Sequence, residues 1–118
     1  MLNMLPSALR VGARTFSVAL RPSDPVLDAN PNVRSYIDHV AGSIVIRDEQ
    51  GASSDALEEL LLHEVMHALV KNSGLDQCLR EGFTEEFLVS ALAPRLHALL
   101  RDNAEQLVKC CAPLSMQS

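Results

Sequence analysis

His63-Glu64-Val65-Met66-His67 reads H-E-x-x-H, within a run from Ser54 to Asn72 that contains neither Pro nor Gly: S-D-A-L-E-E-L-L-L-H-E-V-M-H-A-L-V-K-N. Leu, Glu and Ala dominate it, and all three favour helix. Ser53 or Ser54 offers an N-cap, Asp55, Glu58 and Glu59 suit the positive end of a helix, and Lys71, Asn72 and Gly74 form a stop signal. On such a helix residues four apart share a face, so His63 and His67 aim two imidazoles at one spot. That is how a helix grips zinc, with Glu64 placed to take a proton from a zinc-bound water. Leu57, Leu61, Val65, Ala68 and Leu69 form one apolar face, and Leu60, Leu62, Met66 and Val70 extend it almost all round. A helix of that kind is buried, and buried His and Glu need partners.

Two histidines do not complete a catalytic zinc site, which normally has three protein ligands. The longer H-E-x-x-H-x-x-G-x-x-H pattern is absent, because Val70 and Ser73 stand at its Gly and third His positions. His39 and His97 are poorly placed in the sequence. The acidic candidates are Glu81, Glu85 and Glu86, in R-E-G-F-T-E-E-F. Eighteen residues separate His67 from Glu86, enough for a turn at Gly74, a short connection and the start of a returning helix.

These residues carry a resemblance. L-L-H-E-V-M-H-A-L-V…G-L…E-E-F-L-V…A-L-A-P…L-L-R-D-N is similar to small phage- and prophage-encoded gluzincin metallopeptidases of the minigluzincin and ImmA/IrrE-like kind. The likeness spans roughly residues 5 to 104, from L-P-S-A-L-R-V-G-A-R-T-F-S-V through Y-I-D-H-V-A-G-S-I-V-I-R and both helices. It implies zinc held by His63, His67 and a Glu on the second helix, with Glu64 as general base and acid. Glu86 is preferred for the third ligand, because E-E-F-L-V aligns on its second Glu. Glu85 and Glu81 stay open; E-G-F at Glu81 also surrounds a ligand Glu in larger relatives. Some gluzincins place an Asp four residues after the ligand Glu to orient a zinc-bound His, and Ser90 stands there in this chain. Tyr36, His39 and His97 fall in no recognisable oxyanion-stabilising position.

The 118 residues suit one domain, taken as 1–110 with a loose tail at 111–118. The composition is 47% hydrophobic with three Phe, one Tyr and no Trp, so the core is aliphatic. Net charge is −5 with basic residues scattered, which argues against a nucleic-acid partner. No apolar run reaches membrane-spanning length. Residues 1–20 lack acidic groups but have no apolar signal core, and Val11-Gly12-Ala13-Arg14 reads as a hairpin turn rather than part of a transit peptide. Cys78, Cys110 and Cys111 are odd in number with no C-x-x-C, which points to a reducing cytoplasm and against a disulfide framework; the resemblance implies that this is the cytoplasm of a bacterial host or that the chain is phage-encoded.

The expected order is a hairpin (Ala8–Val11, Thr15–Leu20), a Pro-rich loop from Arg21 to Asn32, strands at Ser35–Val40 and Ser43–Arg47, and helix one. Helix two runs from about Thr84 to a kink or break at Pro94, and a last segment covers Leu96–Leu100, resuming toward Lys109. This is an α+β arrangement, a small antiparallel sheet packed on the H-E-x-x-H helix and a glutamate-bearing helix. Zinc sits between the helices under the sheet edge, and Ser43–Arg47 is the expected edge strand, with Ile44, Val45 and Ile46 flanking a cleft for an extended peptide. The function expected is zinc-dependent peptide-bond hydrolysis, by an endopeptidase rather than an exopeptidase, on a protein or peptide substrate. The alternatives are a zinc-binding, catalytically degenerate module in phage assembly or regulation, and a metal-free helical interaction domain. Oligomeric state is left open.

Overall fold

Five residues with a β-branched centre decide the sheet. Ser43–Arg47, S-I-V-I-R, forms β4, and Ile44, Val45 and Ile46 are all buried. A strand apolar on both faces belongs inside a sheet. In the computed structural model, which describes residues 5–111, β4 lies between β2 (Arg14–Arg21) and β3 (Ser35–Asp38), and β1 (Ala8–Val11) completes the order β1-β2-β4-β3. The sheet is therefore mixed and not antiparallel. β1–β2 and β3–β4 are antiparallel hairpins, but β2 and β4 run parallel, Ser17 opposite Ser43 and Arg21 opposite Arg47. The edge beside the cleft is β3, whose S-Y-I-D sequence tolerates a solvent-facing side. The expected placement of Ser43–Arg47 at the edge is thus corrected.

β3 ends at Asp38, two residues earlier than its apolar pattern suggests. The Asp38 carboxylate accepts from the backbone N–H of Val40 and Ala41 and turns the chain, and Gly42 (φ 72°) completes the reversal. Arg14 donates to the carbonyls of His39 and Val40 and ties this turn to β2. The expected loop from Arg21 to Asn32 contains a short helix, α1 (Pro25–Ala29). Asp24 caps it by accepting from Val26 and Leu27 N–H, and Pro25 takes the first helical position, where a missing donor costs nothing. Leu27 is fully buried, and Arg47 donates to the carbonyls of Leu27, Asn30 and Val33.

The long helix α2 (Ser54–Ser73) starts at a Ser53 cap and stops at Gly74, whose φ of 80° suits glycine. One side, with Leu57, Leu60, Leu61, Val65 and Ala68, packs on Val11, Phe16, Ile44 and Ile46 of the sheet. The other side, Met66 and Val70, packs on Leu88, Val89 and Ala93 of α3 (Glu85–Asp102). Being wedged between two layers explains its nearly continuous apolar surface. Leu69 is the exception: it points outward, 45% exposed.

α3 begins at Thr84, whose hydroxyl accepts from Phe87 N–H. It runs through Pro94 without a break. Val89, Ala93 and His97 form its buried stripe, and Pro94 lies on the exposed side. There the carbonyl that proline leaves unpaired can be hydrated, so packing carries the helix on through the site where a kink or break is expected. α4 (Ala104–Cys111) follows Asn103. All but the first residue of the expected loose tail, and the first four residues of the N-terminal stretch weighed for targeting, lie outside the described residues. No helix among the described residues is long and apolar enough to cross a membrane.

Candidate metal centre

Leu60, His63, Glu64 and His67 recur on α2 at the spacing of one helical face, and all four line a cleft of about 420 Å³. The cleft's opposite wall is β3 and the residues leading into it, including Arg34, Ser35, Tyr36 and Ile37. α3 closes one end with Glu86. Thr84 sets the first turn of α3 so that Glu85 and Glu86 both reach α2.

His63, His67 and Glu86 each offer a donor atom, and these atoms lie within 4.8 Å of one another. His63 Nε2 stands 3.3 Å from Glu86 Oε2, and His67 Nε2 stands 2.9 Å from Glu86 Oε1. Ligands about 2.0–2.1 Å from a tetrahedral zinc are separated by roughly 3.3 Å. The donor set, two imidazoles and one carboxylate, is of a kind that could hold a metal ion, and zinc accepts such ligands. The two imidazole rings are 5.0 Å apart at 63°. Burial pushes the Glu86 carboxyl up, but the Ser90 hydroxyl and the neighbouring His63 and His67 outweigh it, leaving it below the ordinary glutamate value.

Glu64 is not in this cluster. Its side chain is 5% exposed and accepts a 2.6 Å hydrogen bond from Ser35 Oγ on β3. Glu85 lies against the other nitrogen of His67, Nδ1, at 2.5 Å. Ser90, four residues after Glu86, donates to Glu86 Oε2 at 2.8 Å and not to a histidine. Glu81 sits at the tip of the Arg80–Phe83 turn, exposed and outside the cluster.

Of the remaining candidates, Tyr36 donates its hydroxyl to Asp24 at 2.8 Å. His39 lines the cleft without entering the cluster. His97 is buried against α2, 3.1 Å from Glu58 Oε1, with Asp55 4.0 Å away. Two contacts are not read from the sequence: Ser35, which carries no signal and meets Glu64 only through the fold, and Glu85 in contact with a histidine rather than as an alternative ligand. The adjacent acids of E-E-F-L-V are the one hint of the second. Comparison with family models, with curated proteins and with solved structures finds no match.

Proposed function

We propose that this chain is a minimal zinc peptidase of the gluzincin type that hydrolyses peptide bonds in extended protein or peptide segments. The observation that carries this reading is the convergence of His63, His67 and Glu86 beside Glu64, at the floor of a cleft walled by an edge strand. His63, His67 and Glu86 would hold the metal. Zinc, when bound, supplies a Lewis acid that eases the deprotonation of water and polarises a carbonyl.

The chain's own residues then have distinct tasks. Glu64 receives the proton of the attacking water on its carboxylate and returns it to the leaving amine. Ser35 holds one Glu64 oxygen, Oε2, so that the other is free for that exchange. The open side of β3 offers backbone groups to an extended substrate, which aligns it along the cleft. Ile37 and Leu60 supply apolar lining. The exposed, unpaired thiols of Cys78, Cys110 and Cys111 suit a reducing compartment such as the bacterial cytoplasm.

Native mass spectrometry and cleavage of a mixed peptide library test the proposal. One zinc per chain is expected, with cleavage that disappears in Glu64→Gln while the zinc and the fold remain. A folded chain that ignores zinc overturns it. Zinc uptake without any cleavage converts the reading to a zinc-bearing binding module.

A further inference from the structure

An imidazole has two nitrogens, and the partner of one decides how the other is presented. A carboxylate on Nδ1 favours the proton there and leaves Nε2 as the lone-pair donor, with the ring held in one orientation. His67 has such an arrangement. Its Nδ1 lies 2.5 Å from Glu85 Oε2, and its Nε2 lies 2.9 Å from Glu86 Oε1, in the cluster that also takes His63 Nε2. Glu85 is half-sheltered, 27% exposed, whereas Glu86 is 64% exposed at the cleft. Adjacent helical residues point in different directions, so the pair can address two atoms of the same ring. Glu85 is outside the group of converging donors.

We infer that Glu85 is the positioning carboxylate of His67: it fixes the ring with Nε2 toward the metal and is not itself a ligand. The inference rests on the zinc reading above. It assigns the two adjacent acids different work. Glu86 binds, and is steadied by Ser90 Oγ at 2.8 Å. Glu85 aligns. The orienting group therefore precedes the ligand by one residue, on the first turn of α3, and the position four residues after the ligand serves the ligand itself.

Zinc affinity of the full chain, measured by competition with a chelating dye, tests this in wild type, Glu85→Gln, Glu85→Asp and Glu86→Gln. The absorption spectrum of the cobalt-loaded protein reports the ligand set in each. Loss of the orienting carboxylate in Glu85→Gln should weaken zinc about 10–100-fold and leave the cobalt spectrum unchanged. Glu85→Asp should recover part of the loss. Glu86→Gln should weaken zinc further and alter the spectrum. Wild-type affinity in Glu85→Gln overturns the inference while the zinc reading stands. So does a changed cobalt spectrum in that variant, which would make Glu85 a ligand. A wild-type chain that takes up no zinc overturns both.

Discussion

Ser35 Oγ donates to Glu64 Oε2 across 29 residues of sequence, joining the edge strand to the helix that carries both histidines. No other side chain among the described residues hydrogen-bonds to Glu64, although the residue as a whole is only 5% exposed. Replacing Ser35 by Ala should cost about 1.5–3 kcal/mol of stability, the range for hydrogen bonds to charged groups. It should also lower kcat about tenfold with zinc affinity unchanged, because Glu64 loses its fixed orientation. Ser35→Thr should restore most of both. Denaturant melts with steady-state kinetics check this, and full kcat in Ser35→Ala would remove Ser35 from the site.

His97 and Glu86 lie on the same helix but serve opposite ends of the α2–α3 contact. His97 meets Glu58, whereas Glu86 meets His63 and His67. His97→Ala should destabilise the fold by about 1–3 kcal/mol through the unmade buried contact, with zinc affinity as in wild type. Glu86→Ala should lower zinc affinity by orders of magnitude with little effect on the metal-free fold. Titration calorimetry with zinc and thermal melts with chelator separate the two effects.

The acid limb of stability should depend on Asp24. Burial pushes its carboxyl up, but the Tyr36 hydroxyl, the N–H groups of Leu27 and Val26 and the Arg21 charge outweigh this, so it lies below its ordinary value of 3.8. The unfolded chain then binds the proton first as pH falls. The stabilisation is present above about pH 4, near the unfolded carboxylate value, and is lost as pH drops through the lower folded value. Asp24→Asn should be less stable than wild type at neutral pH, and the difference should shrink in acid. Denaturant melts at pH 7 and pH 3 in the presence of chelator measure it.

Pro94 occupies the exposed side of an unbroken helix. Pro94→Ala restores a backbone donor and a better helix former, and should stabilise the fold by about 1–3 kcal/mol. A thermal melt reads this directly, and an unchanged or lower midpoint would show that the ring contributes contacts of its own.

The local signals were readable because they depend on neighbours in the chain. Ser53 and Gly74 bound α2, Thr84 opens α3, and the spacing of His63, Glu64 and His67 places three side chains along one face. The order of the strands was not readable. β2 could meet either strand of the second hairpin, and the deciding fact is that Ile44, Val45 and Ile46 are buried on both faces, which requires covering layers that local sequence does not display. The break expected at Pro94 does not occur for a similar reason: the cost of the proline is local, but the compensation from Val89, Ala93 and His97 is tertiary. At the centre, Glu85 and Glu86 could not be told apart by spacing. Only the approach of α3 to α2 shows which acid meets Nδ1 of His67 and which meets Nε2.

The parallel pairing of β2 with β4 leaves β3 as a cantilever. Within the sheet it is hydrogen-bonded on one side only, to β4, which is itself joined to the first hairpin through residues as distant as Ser17 and Ser43. Such non-local pairing is slow to form compared with the two hairpins. The cleft wall is thus seated only when β4 docks, and fraying between β2 and β4 carries Ser35 away from Glu64 even while the β3–β4 hairpin stays closed. A perturbation such as Ala19→Gly, at the residue opposite Val45 on β2, would therefore be felt at Glu64 without touching it.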